Sequence, residues 1–242
     1  MRYGSLILGI VGLFMVFFIS TSFSQQVDSL VGYWSFDEGK GDTIKDQTQN
    51  GNDGAIKGNV NWIDGQVGKA IEFKPGSYVE IPDSKSLKNM DSYTIAFWVK
   101  MNNLSADWNH LIERDGSYGI TINSGGGDFR FTPNSGKVWA ESKFKVKMSQ
   151  WYYVTMTADK NGEIFYVDGN KQADLKEAIV YTDVSVTIGH GPSYPVDGAF
   201  DEVRFWAIAL TADEVKVAMK GDLAVMISKE KLATTWAFVK TP

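Results

Sequence analysis

The chain has 242 residues, with 24 basic and 29 acidic side chains, a formal charge of −5 and no cysteine. An acidic balance of this kind gives no reason to expect nucleic acid or an anionic membrane as partner. The missing cysteines exclude disulfides, a thiol nucleophile, thiolate metal sites and a lipidated cysteine anchor, so stability must come from a large core or a bound metal.

The first residues combine an early cation, Arg2, with an unbroken apolar run from Leu6 to Ile19. A run of about 14 residues has the length of a signal-peptide core and falls short of the roughly 20 a membrane span needs. Ser22 and Ser24 place small residues where a signal peptidase reads. Residues 1–24 are therefore expected to be a cleaved leader, which makes the protein secreted, periplasmic or displayed at the cell surface. An uncleaved anchor is the alternative; after cleavage no stable membrane span is expected. Residues 25–220 are long enough for one large β domain, and the apolar segment 221–242 is expected to pack on it.

Short alternating runs bounded by Gly, Asn and Asp follow in order: VGYWSF (31–36), AIEF (70–73), SYVEI (77–81) and YTIAFWVKM (93–101). In the last of these, Tyr93, Ile95, Phe97, Val99 and Met101 share one face, and Thr94, Ala96, Trp98 and Lys100 the other. HLIE, YGITI, DFRFT, KVWAES, WYYVTMTA, EIFYVDG, VSVTIG and AFDEVRFW continue the series from residue 110 to 206. DKNG (159–162) and DGNK (168–171) carry hairpin-turn chemistry. About a dozen strands without an intervening helical pattern predict an all-β protein, two antiparallel sheets packed face to face. One short helix is expected near the C-terminus, because Thr211 and Glu214 form a capping box and Gly221 is a natural stop.

The last strand holds a difficulty. Strict alternation puts Asp201 on the face of Val203 and Phe205, and Glu202 on that of Phe200, Arg204 and Trp206. A carboxylate on an apolar face costs several kcal/mol, as an order of magnitude, unless it is paired.

YWSFDEGKGDTIKDQTQNGNDGAI (33–56), GQVGKAIEF (65–73), YVEIP (78–82), YTIAFWVK (93–100), WYYVTMTAD (151–159), IFYVDGN (164–170) and DGAFDEVRFWAIALTADEV (197–215) resemble the successive blocks of a laminin G-like domain of the concanavalin A-like lectin/glucanase superfamily. The resemblance implies a jelly-roll sandwich with its first and last strands paired. It also implies a binding module for glycans or an adhesion domain in secreted and surface proteins.

Enzymes share that fold, but their Glu-x-Asp-x-x-Glu strand is not matched. ERDGSY (113–118) has Tyr118 in the third position and a turn-forming Gly116. Asp201 and Glu202 are adjacent and so point apart, and no Gly-x-Ser-x-Gly elbow is present. His110 and His190 sit in loop-like contexts outside any spaced ligand pattern. A non-catalytic module is therefore expected, recognising carbohydrate or a surface glycoconjugate. The rivals are an adhesion domain for a protein partner and, further off, a glycoside hydrolase.

Sugar faces call for aromatic rings flanked by polar groups. Trp98, Trp108 with the nearby Arg114, and Trp139 are the ligand-binding candidates. A hard cation suits oxygen ligands in an extracellular setting. In the resembling family one structural calcium lies near the joined terminal strands, which points to Asp46, Asn50 and Asp201. The competing expectation is that Asp201 accepts backbone N–H groups from a loop or pairs with Lys69.

Overall fold

Alternation and turn chemistry translate into sixteen strands and one α-helix in a computed structural model that describes residues 29–104, 107–135, 137–191 and 193–221. The expected leader, and the C-terminal segment beyond Gly221, lie outside the described residues. In chain order the strands begin with β1 (Leu30–Trp34), β2 (Thr43–Ile44), β3 (Gly54–Lys57), β4 (Val60–Asp64), β5 (Lys69–Phe73) and β6 (Tyr78–Ile81). After a 3-10 turn come β7 (Tyr93–Asn103), β8 (Trp108–Glu113), β9 (Gly119–Asn123), β10 (Asp128–Thr132) and β11 (Ala140–Lys145). Then follow β12 (Trp151–Asp159), β13 (Gly162–Val167), β14 (Asn170–Leu175), β15 (Val186–Ile188) and β16 (Asp197–Trp206), with α1 (Ala212–Met219) last.

Two eight-stranded sheets result. One runs β14-β13-β12-β7-β16-β5-β4 with β1 also on β16, and the other β11-β10-β9-β8-β15-β6-β3-β2. All pairings described are antiparallel, and the fold is the expected jelly-roll sandwich. The first and last strands pair, Tyr33 opposite Arg204 and Trp34 opposite Val203. The core lies between the sheets. Phe97, Phe200 and Phe73 from one sheet join Ile120, Phe129 and Phe131 from the other, and Phe131 stacks on Phe165 at 4.9 Å. Leu30–Met219 forms one compact unit.

The turns behave as their residues dictate. Asp168 and Gly169 both take positive φ, 50° and 71°, in the tight β13–β14 turn. Thr211 N donates to Glu214 Oε2 at 2.7 Å and Glu214 N to Thr211 Oγ1 at 3.4 Å, closing the capping box of α1. Among the described residues no helix is long and apolar enough to cross a membrane.

Two β-bulges overturn the strict alternation. In β16 the register against β7 slips between Asp201 and Arg204, and Glu202 carries the extra residue at φ 57°. Phe200, Val203 and Phe205 therefore all reach the core, whereas Asp201 and Arg204 turn away from it. The core-facing Asp201 of the sequence reading is corrected by this one residue. In β8 the register against β9 slips between His110 and Ile112. Leu111 and Ile112 both enter the core, which leaves His110 and Glu113 on the same outer face.

Candidate functional site

The β8 bulge builds a pocket on the outside of the second sheet. Trp108, His110 and Glu113 line it from β8, Trp139 from the approach to β11, and His190 and Tyr194 from the loop after β15; its volume is about 490 Å³. That lies in the range of small-molecule sites, roughly 300–1,000 Å³. Each wall has a local cause. Trp139 lies across Gly119, the residue opposite Glu113, where a Cβ would come within 2.7 Å of its ring. Trp139 Nε1 donates to Ser135 O at 3.2 Å, which fixes the indole. Gly189, at φ 64°, donates its N–H to Leu111 O at 2.7 Å and turns the chain so that His190 follows over β8. His110 N donates to Tyr194 O at 3.3 Å, tying the same loop to the same strand.

The floor is polar and the walls are aromatic. His110 stacks on Tyr194 at 4.2 Å with an interplanar angle of 10°, and its ring lies 5.6 Å from Trp139. His110 Nδ1 is hydrogen-bonded to Glu113 Oε2, and His190 Nε2 stands 3.7 Å from the same oxygen. Burial holds the His190 imidazole below its usual pKa, opposed by the negative charge of Glu113. The Arg130 guanidinium lies 5.6 Å from the Trp108 ring, held by Asp128 at 3.0 Å and Glu141 at 3.3 Å. Trp108 and Trp139 are thus half-buried ring platforms beside carboxylate, imidazole and guanidinium groups, a surface that offers both apolar faces and hydrogen-bonding groups.

Of the four residues proposed for ligand binding, the fold brings Trp108 and Trp139 together. Trp98 lies on the other sheet, its ring 5.1 Å from that of Tyr153. Arg114 points away from the pocket into fully buried surroundings, donating from Nε to Thr182 O at 2.8 Å and paired with Asp83. His110, His190 and Glu113 were set aside as site residues because a bulge and a glycine turn, rather than sequence spacing, unite them; His110, expected in a loop, lies in β8. The available signal was that the chain has two histidines in all.

Asp201 has a separate environment. Its Oδ2 accepts the N–H groups of Gln66 at 2.7 Å and Val67 at 2.9 Å, the loop partners that were one expectation for it. Gly65 makes this possible, since a Cβ there would lie 2.5 Å from Asp201 Oδ2. Lys69 turns instead to Asp64 at 2.7 Å. Oδ1 of Asp201 is buried without a partner, and burial, aided by the charges of Glu202 and Asp37, lifts the carboxyl to about 7. Beside it, Glu202 pairs with Arg204 and accepts from Tyr33 Oη at 2.9 Å.

Asp46 and Asn50 are engaged elsewhere. Asp46 accepts from Tyr33 N, Thr48 N, Thr48 Oγ1 and Asn52 N at 2.9–3.1 Å, which occupies both its oxygens. The Asn50 amide donates to Val31 O at 3.1 Å and Thr48 Oγ1 at 3.2 Å. Both residues staple the β2–β3 loop to β1. Asp37, whose Oδ1 accepts Lys69 N at 2.7 Å, is the second carboxylate at the Asp201 loop.

A sandwich with paired terminal strands and a ligand-sized outer pocket defines a lectin-like domain. A family model described as the concanavalin A-like lectin/glucanases superfamily, laminin G type, matches residues 73–216, and the chain belongs to that family. No curated protein matches the chain. Among solved structures, domain 4 of AbnA, a GH43 extracellular arabinanase from Geobacillus stearothermophilus in complex with arabinotriose, is similar at 23% identity and a TM-score of 0.66, over 81% of this chain and 98% of that one. The binding domain of Paraclostridial Mosquitocidal Protein 1 is similar at 17% identity and TM-score 0.66, over 79% of this chain and 52% of the other. Trypanosoma rangeli sialidase in complex with sialic acid is similar at 17% identity and TM-score 0.64, over 81% of this chain and 33% of the sialidase. At these identities the likeness is one of fold.

Proposed function

We propose that this is an exported, non-catalytic module that binds carbohydrate in the pocket of Trp108, Trp139 and Tyr194. The observation that carries the reading is the meeting of two half-buried tryptophans over a polar floor, inside a concavity of ligand size. The arabinotriose complex of the AbnA domain, of the same fold and nearly the same extent, supports it. The absence of catalysis is part of the proposal: Glu113 is engaged by His110, Asp115, the other acid lining the pocket, sits in the turn after β8 rather than on a strand beside it, and the Glu-x-Asp-x-x-Glu pattern of the fold's enzymes ends here at Tyr118. Export follows from the composition of residues 1–24.

The same reading includes one structural calcium ion. Asp201, with its unpartnered Oδ1, and Asp37 supply the carboxylates suited to it, in place of the occupied Asp46 and Asn50. Such an ion would neutralise a buried acid that otherwise stands at a pKa near 7. The test of the whole reading is a glycan panel spanning arabinans, other plant polysaccharides and sialylated glycans, probed with the wild-type chain and with Trp108→Ala. Binding that disappears in the variant supports the pocket. No binding across the panel, or binding indifferent to the variant, overturns it in favour of a protein partner.

A further inference from the structure

The two histidines of the chain occupy one spot, with ring centroids 5.4 Å apart, and share it with a buried carboxylate. One ligand atom from each of His110, Glu113 and His190 lies within 4.8 Å of the others. We propose that these three residues form a site for a divalent transition metal, with Zn2+ the best chemical match, and that its open coordination position faces the carbohydrate pocket.

Donor chemistry selects the metal class. Two imidazoles and one carboxylate suit zinc and its neighbours, whereas calcium takes oxygen ligands. The arrangement is built by the backbone rather than left to flexible side chains. The β8 bulge sends His110 and Glu113 to one face, and Gly189, bonded to Leu111, delivers His190. The rings are braced in place: His110 is stacked on Tyr194 and flanked by Trp139, and His190 meets Tyr194 edge-on at 5.3 Å. His190 Nδ1 is buried with no hydrogen-bond partner, so that ring keeps an uncommitted nitrogen.

Three protein ligands leave a tetrahedral ion one position short, the pattern of zinc sites that take water or an exogenous oxygen. Here that position opens into a cavity lined also by Trp108 and Trp139. A sugar hydroxyl or carboxylate is the kind of oxygen it would take. Metal binding itself does not depend on the carbohydrate reading; only the nature of the fourth ligand rests on it.

The experiment is calorimetric titration of the full chain, purified without a histidine tag and stripped with chelator, using ZnCl2 alone in buffer containing millimolar calcium. The expected result is saturable 1:1 binding that His190→Ala abolishes, with Co2+ giving the visible absorption of a tetrahedral site in the wild type only. His190 is the least buried of the three, so its removal leaves the core untouched, and a far-UV spectrum confirms the fold. Absence of saturable Zn2+ binding, or equal binding by His190→Ala, overturns the proposal. Trp108→Ala is expected to retain Zn2+, so loss of glycan binding in that variant is read separately from loss of the metal.

Discussion

Glu163 is an acid buried with neither oxygen partnered, and replacing it with glutamine tests how the sandwich tolerates it. It is the second residue of β13, opposite Ala158, on the core-facing side, with 1% of its surface exposed. Burial, helped by the charges of Glu177 and Asp159, raises its carboxyl from 4.5 to about 8. The folded protein therefore holds a proton there at neutral pH, while the unfolded chain releases it near 4.5. Stability must fall as pH rises from about 4.5 to about 8 and then level off. At 1.36 kcal/mol per pKa unit the ceiling is about 5 kcal/mol. Relaxation around a buried carboxylate trims that ceiling, so a loss of roughly 2–4 kcal/mol is the working value. Glu163→Gln preserves the neutral shape and carries no proton to lose. Urea denaturation at half-unit steps between pH 5 and 8.5 reads the difference between wild type and variant, in which the parallel contribution of Asp201 cancels. The wild type is expected to weaken relative to the variant across that range. Curves that stay parallel within about 0.5 kcal/mol refute the reasoning.

Three other outcomes follow from the same contacts. Gly65→Ala forces a Cβ to within 2.5 Å of Asp201 Oδ2 and 2.8 Å of Lys69 O, and is expected to cost about 1–3 kcal/mol in equilibrium unfolding; an unchanged midpoint would show that the loop moves freely. Arg114→Ala strips the Thr182 and Leu87 carbonyls of a buried donor and empties the space of a large buried side chain, while Asp83 keeps Lys88; it should destabilise by roughly 2–4 kcal/mol while glycan affinity of the folded protein stays constant. A selective loss of affinity would return Arg114 to the binding site. Millimolar calcium is expected to raise the melting temperature of the wild type above its value in chelator, and Asp201→Asn to remove the response, because a ligand of the native state stabilises by mass action. A wild-type melting curve indifferent to both conditions ends the calcium proposal.

The fold was legible because its signals are local. The 93–101 run alternates cleanly and pairs along its length with β12, and the capping box at Thr211 opens α1 as drawn. The short strands β2 and β14 carry too few apolar residues to announce themselves: β2 is two residues long, and β14 reads NKQADL, half of it polar surface positions. The site was legible in part. Trp108 and Trp139 could be named as ring platforms from their polar surroundings. Their union with His110, Glu113 and His190 depends on a one-residue bulge, and a bulge reverses the alternation that the reading relies on. The same device misplaced Asp201: one extra residue at Glu202 moves it from the core face to the opposite one.

The central claim is that sugars bind on the Trp108 and Trp139 platforms. Calorimetric titration of the wild-type chain, Trp139→Ala and Trp98→Ala with the strongest glycan from the panel tests it most directly. Trp139→Ala is expected to weaken binding by about tenfold or more, equivalent to about 1.4 kcal/mol, and Trp98→Ala on the other sheet to leave it unchanged. Equal affinity for the wild type and Trp139→Ala, or loss of binding in Trp98→Ala alone, would contradict it.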